Sequence, residues 1–175
     1  MKREFSSLTT QEALHVAIFI EERNAEIYQQ FAEMFAEFRD PDSLEIAGVF
    51  WDMANEERHH GSRLQERYFE RFGTRSCTIT EDQISDFIEV PRLDNGDIFS
   101  ITRANLDRAP RHLALDVAIS AENSALRYYS RLVEQTPDDD LREFYQELCE
   151  FEGDHMRFLV RKKQEAKSAA ETEEA

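Results

Sequence analysis

Residues 13–28 read ALHVAIFIEERNAEIY, and residues 114–129 read ALDVAISAENSALRYY. At a constant offset of 101, Ala13, Leu14, Val16, Ala17, Ile18, Glu21 and Tyr28 meet the same residue type at Ala114, Leu115, Val117, Ala118, Ile119, Glu122 and Tyr129. Each copy is followed by a segment carrying Glu-x-x-His: Glu57 with His60, then Glu152 with His155, at an offset of 95. Four carboxylates and two imidazoles thus fall into two equivalent sets. One Glu from each of two helices, with Glu-x-x-His from each of two others, is the ligand set of a two-metal site inside a four-helix bundle.

The punctuation between these segments supports four long helices. Thr9 with Glu12 forms a capping box at the start of a first helix spanning about residues 10 to 39, with Leu8 placed as a hydrophobic staple toward Ala13. Asp40-Pro41 ends that helix and opens a second, because proline suits a first helical turn and disfavours helix just before it. The second helix is expected to stop at Gly73. A third covers roughly 110 to 135, and Thr136-Pro137-Asp138-Asp139 separates it from a fourth running to about 165. Each half is therefore a helical hairpin closed by a tight X-Pro turn. The connection 74–109 is expected to hold one short helix, Glu81 to Glu89, and turns at Pro91 and Asp94-Asn95-Gly96. Its length can return the chain along the whole bundle, the single long crossover of the ferritin-like topology. The expectation is an all-α, pseudo-symmetric four-helix bundle over residues 1–165, followed at 166–175 by a frayed helix extension or a disordered tail.

Acids are abundant, so the register of each helix decides which of them face inward. Glu21 shares its face with Leu14, Ala17, Ile18, Ala25, Tyr28 and Phe35, whereas Glu22 shares its own with His15, Glu26, Gln29 and Glu33. Glu57 and His60 lie with Ile46, Phe50, Met53, Ala54, Gly61 and Leu64. The rival pair Glu56 and His59 lies with Glu45, Asp52, Arg63 and Arg67. Glu122 falls among Leu115, Ala118, Ile119, Ala125, Leu126 and Tyr129, and Glu152 and His155 among Leu141, Tyr145, Leu148, Met156 and Leu159. The heights agree too. At about 1.5 Å per residue, Glu21 and Glu57 both lie roughly 25 Å from the turn at Pro41, and Glu122 and Glu152 roughly 20 Å from the turn at Pro137.

Every helix thus puts a Glu in the middle of an apolar stripe. An isolated buried carboxylate costs several kcal/mol or takes up a proton. No Lys or Arg shares these faces near the six residues, and two divalent cations would supply about +4 against four carboxylates.

Composition narrows the function classes. The 175 residues suffice for one domain with a real core, 41% are hydrophobic, and thirteen Phe dominate the aromatics. The net charge of −16 argues against nucleic acid and against an anionic membrane surface as partners. No segment has the apolar length of a membrane span, and MKREFSSLTT lacks the apolar core of a secretory signal. Cys77 and Cys149 stand alone, so no Cys-x-x-Cys iron or zinc motif is encoded and a reducing cytoplasm is expected.

Over residues 8 to 165 the chain resembles the rubrerythrin branch of the ferritin-like superfamily, most specifically in Glu21-x6-Tyr28, Glu57-x-x-His60, Glu122-x6-Tyr129 and Glu152-x-x-His155. The MKREF start and the EERHHGSRL run look closest to the erythrin domain that some bacteria join to a vacuolar-iron-transporter-like membrane domain. The resemblance implies a non-haem centre of two iron ions per chain that reacts with hydrogen peroxide or dioxygen. It makes Glu57 and Glu152 bridging ligands, Glu21 and Glu122 terminal carboxylates, and His60 and His155 one cap on each metal. Manganese accepts the same ligands. The resemblance also admits a homodimer.

Two departures separate this chain from the family pattern. Rubrerythrins carry an additional Glu three residues after the third-helix ligand, where this chain has Ala125, with Asn24 as its repeat partner. They also carry a rubredoxin domain, which these residues do not encode, so a peroxide-reducing cycle needs a separate electron donor. Ferroxidase or ferrous-iron handling is the alternative, and a helical adaptor with a purely structural metal is a third reading. Tyr28 and Tyr129, two turns beyond the terminal Glu residues, serve either as hydrogen-bond support for the ligands or as core aromatics. Cys149, one turn before Glu152, is expected to be a small buried hydrophobe rather than a neighbour of the metals.

Overall fold

The computed structural model describes residues 3–76, 79–89 and 110–173. It consists of α1 (Thr10–Ala36), α2 (Pro41–Phe72), a short α3 (Glu81–Ile84), α4 (Pro110–Gln135) and α5 (Asp139–Glu173), preceded by a 3-10 turn at Phe5–Ser7. The caps are those the sequence specifies. Thr9 Oγ1 accepts from the Glu12 amide at 3.2 Å while the Glu12 carboxylate accepts from the Thr9 amide at 2.9 Å. Asp40 receives the Ser43 amide at 2.9 Å, and Asp138 receives the Leu141 amide at 3.0 Å. Each such cap contributes about 1 kcal/mol.

Three boundaries differ from expectation. α1 ends at Ala36 rather than near residue 39, and Arg39 takes the left-handed conformation at φ 59°. The chain must reverse there while the residue before Pro41 is held extended, and helix cannot satisfy both demands. The short helix covers Glu81–Ile84, and a turn follows in which Ile84 O accepts from Phe87 and Ile88. That turn aims Phe87 and Ile88 into the core. At the other end, α5 continues to Glu173. The segment beyond 165 is rich in Ala and Glu and has no Gly or Pro to stop the helix. The turns expected at Pro91 and at Asp94-Asn95-Gly96 lie outside the described residues.

Cross-helix contacts fix the topology. Residues early in α1 meet residues late in α4: the Tyr128 hydroxyl donates to Ala13 O at 3.0 Å, and that of Tyr129 to Glu21. So α1 and α4 are antiparallel. Lys162–Glu45 at 2.9 Å, Arg63–Glu147 at 2.6 Å and Arg67–Asp140 at 2.8 Å make α2 and α5 antiparallel as well. It follows that α2 and α4 run parallel, and the connection between them must return the length of the bundle. This is the ferritin-like arrangement. No helix among the described residues is long and apolar enough to cross a membrane.

The core comes in two blocks with a polar layer between them. Leu14, Ile18, Leu64, Tyr68, Tyr129, Leu132, Leu141, Tyr145 and Leu148 belong to the block nearer the α4–α5 turn. Phe31, Phe35, Phe50, Met53, Ala114, Leu115 and Leu159 belong to the block nearer the α1–α2 turn. Phe50 is a hub there, with ring centroids 6.0 Å from Tyr28, 5.2 Å from Phe31 and 6.0 Å from Phe35. Such pairs add about 0.5–1.5 kcal/mol each beyond area burial. On every long helix the break between the blocks falls at the acidic position: Glu21, Glu57, Glu122 and Glu152.

Candidate metal centre

All six residues singled out by register are buried. Glu21, Glu57, Glu122 and Glu152 are 0% exposed, His60 4% and His155 9%. Glu22, Glu56 and His59 are exposed, as the helical faces require. Gly61 faces Glu21 across the α1–α2 contact, and a Cβ there would just touch the Cβ of Glu21 at 3.4 Å.

The six side chains form two overlapping groups, Glu21–Glu57–His60–Glu152 and Glu57–Glu122–Glu152–His155. In each, one nitrogen or oxygen per residue lies within 4.8 Å of the others, a spacing that can surround a cation. Glu57 and Glu152 belong to both groups. Both imidazoles turn Nδ1 inward. His60 Nδ1 is 3.5 Å from Glu21 Oε2, and His155 Nδ1 is 3.1 Å from Glu57 Oε1 and 3.6 Å from Glu122 Oε2.

The donor set fits metal ions better than it fits itself. Among the described residues, the buried side-chain atoms without a hydrogen-bond partner include Glu21 Oε2, both oxygens of Glu57, both of Glu152, Glu122 Oε2, and Nδ1 of His60 and of His155. Native proteins rarely leave buried polar atoms unpaired, and here they converge on one place. Burial, then the charges of Glu21 and Glu122, pushes the Glu57 carboxyl well above the usual range; burial, then Glu122 and Glu57, does the same to Glu152. Burial also opposes ionisation of Glu122, but the neighbouring Glu152, His155 and Tyr28 outweigh it and hold that carboxyl below its ordinary value. Burial disfavours the charged form of His155, yet Glu122 and Glu57 overcome it and raise its pKa to about 11. The metal-free site is thus an acidic cluster that holds protons where a cation would sit.

The tyrosines cross over. Tyr28 on α1 donates its hydroxyl to Glu122 Oε1 on α4, and Tyr129 on α4 donates to Glu21 Oε1 on α1. Each tyrosine therefore supports the carboxylate of the other repeat and leaves that residue's second oxygen facing the cluster. Burial followed by the adjoining carboxylates raises both phenols well above their ordinary value, so both remain hydrogen-bond donors at neutral pH.

Register reasoning missed a neighbour of the cluster. Register puts Glu56 on the outward face, yet its Oε2 lies 2.6 Å from His155 Nε2 across the α2–α5 contact. A carboxylate only accepts, so Nε2 carries the hydrogen and Nδ1 is directed at the cluster. The signal was its place directly before Glu57, on the flank of the helix that meets α5. Asn24 is 1% exposed and its Nδ2 has no partner among the described residues, and Ala125, its repeat counterpart, is 0% exposed. Cys149 is half-buried, packs at the edge of one core block, has its Sγ 3.7 Å from Ser130 Oγ, and is in neither cluster.

A bundle of this topology with paired Glu/His clusters at its middle is a ferritin-like protein with buried carboxylate and histidine groups able to hold metal. The Rubrerythrin family profile matches residues 12–163, and the chain belongs to that family, whose members typically bind iron. The fold is similar to the crystal structure of an uncharacterized conserved protein from Magnetospirillum magnetotacticum MS-1, with a TM-score of 0.67 and 22% identity, covering 90% of this chain and 95% of that one. No functionally curated protein matches.

Proposed function

We propose that Glu21, Glu57, His60, Glu122, Glu152 and His155 hold two iron ions, with Glu57 and Glu152 bridging them, and that the centre reduces hydrogen peroxide or dioxygen. The observation that carries this reading is the membership of Glu57 and Glu152 in both clusters, with all their oxygens unpaired. When bound, a pair of ferrous ions supplies two electrons at adjacent positions. The chain supplies the rest. Two apolar blocks keep bulk water from the site, Tyr28 and Tyr129 fix the terminal carboxylates, and Glu56 orients His155. A separate reductant restores the ferrous state, and the isolated cysteines fit a reducing cytoplasm.

Two experiments address this. Anaerobic protein loaded with Fe(II) and mixed with hydrogen peroxide should oxidise about two irons per chain, with two electrons and two protons converting each peroxide to two waters, and then stop. Stopped-flow ferric absorbance gives the stoichiometry, and peroxide should react faster than air. Continued uptake of many irons per chain into a soluble mineral would favour ferroxidase and storage, and no redox response would leave a structural metal.

The role of the crossed tyrosines is tested separately. Tyr129→Phe should keep its helicity but lose metal affinity by about 10–100-fold, the scale for a lost hydrogen-bond partner of a ligand. Competition against a chromophoric chelator measures this. Unchanged affinity would reduce Tyr129 to core packing.

A further inference from the structure

The sequence repeat is imperfect at one position next to the cluster. The offset that carries Glu57 to Glu152 and His60 to His155 carries Glu56 to Phe151. Both residues reach across the α2–α5 contact to the histidine of the opposite helix. Glu56 Oε2 lies 2.6 Å from His155 Nε2. Phe151 lays its ring against His60, with centroids 4.8 Å apart and planes inclined by 32°. One imidazole is backed by a carboxylate and the other by a hydrocarbon face.

Among the described residues, no other carboxylate bonds His60 in the place Glu56 takes on His155. Glu147 on α5 is near enough to His60 to act on it electrostatically, but its hydrogen bonds run to Arg63, at 2.9 and 2.6 Å, and none runs to His60. Among the described residues, no acceptor bonds His60 Nε2. A carboxylate on the outer nitrogen of a ligating imidazole fixes the tautomer, holds the ring angle and increases the donor strength of the inner nitrogen. Losing such a partner typically costs about 10–100-fold in metal affinity. A phenyl ring constrains the angle but offers neither a lone pair nor a negative charge to the outer nitrogen.

Resting on the metal-centre reading above, we infer that the two positions are unequal: the one capped by His155 fills first and holds its divalent cation tighter, Glu56 being its positioning residue, and the one capped by His60 is the weaker and exchangeable position.

Cobalt(II) is a suitable probe, since its visible absorption reports each bound ion without redox chemistry. Titration of the metal-free full chain under argon should show two steps of about one equivalent each, separated by about 10-fold or more in affinity. His155→Ala should remove the tight step and His60→Ala the weak one. Glu56→Ala should weaken the tight step by about 10–100-fold, so that the steps merge. Glu56→Gln, which keeps the side-chain volume, should do so in part, and Phe151→Glu should strengthen the weak step. Glu56 is exposed, and circular dichroism checks that each variant is folded. Two equal constants in the wild type, or unchanged constants in Glu56→Ala, would overturn the inference while leaving the two-metal centre intact. A wild type that binds no cobalt at all would overturn the centre itself.

Discussion

Glu57→Ala and Glu152→Ala should each yield a folded protein emptied at both proposed metal positions, whereas Glu21→Ala and Glu122→Ala should each empty only one. The difference follows from cluster membership. Glu57 and Glu152 serve both groups, but Glu21 stands only with His60 and Glu122 only with His155. The variants should remain folded, because removing one of four buried acids relieves repulsion in the metal-free protein. Glu22→Ala is the control, being exposed on the opposite face of α1. Metal content per chain by elemental analysis, after desalting, is the measurement. Full metal content in both Glu57→Ala and Glu152→Ala would sink the site. Equal loss in all four variants would sink the bridging role while sparing the ligands.

Metal-loaded protein is expected to melt well above the metal-free form, with the gap widening from pH 5 to pH 8. Binding to the native state alone at about 100 times Kd contributes about 2.7 kcal/mol per site, and for a chain of this length two sites amount to roughly 10–20 °C. The pH dependence comes from the cluster. Glu57 and Glu152 have folded pKa values raised above their unfolded ones, so their contribution is fully present below about pH 4.5 and is lost as pH rises. His155 acts in the same direction, its contribution falling between its ordinary value of 6.5 and about 11. Glu122 is lowered, so its opposite contribution changes only below about pH 4.5, outside this range. The metal-free protein should therefore weaken from pH 5 to pH 8. Metal binding displaces those protons and tightens over the same range. Scanning calorimetry of both forms at the two pH values measures the gap. Glu57→Gln should raise the metal-free melting temperature at pH 8, because the amide needs no proton to stay neutral in the buried cluster. Coincident melting of the metal-free and loaded forms would contradict the account, as would a gap that narrows with pH.

Much of this molecule was legible in its amino-acid order. Helical period alone separates Glu21 from Glu22 and Glu57 from Glu56, because neighbouring residues on a helix point about 100° apart and only one of each pair falls in the apolar stripe. Residue counts from Pro41 and Pro137 bring the acids level, because rise per residue is constant. Caps at Thr9, Asp40 and Asp138 and the stop at Gly73 are chemistry confined to a few adjacent residues, so they too could be read locally. What the sequence could not supply is which helix stands opposite which, and at what rotation. Packing of whole surfaces settles that. Only the assembled bundle sends Tyr28 to Glu122 and Tyr129 to Glu21, each across to the other repeat. Only the seating of α2 against α5 turns Glu56, an exposed acid by register, into the partner of His155, and sets Phe151 on His60 in the equivalent place. Period and rise are properties of one helix, and so the sequence determined the six inward residues. The neighbours that tune them are a property of two helices in contact, decided by tertiary structure.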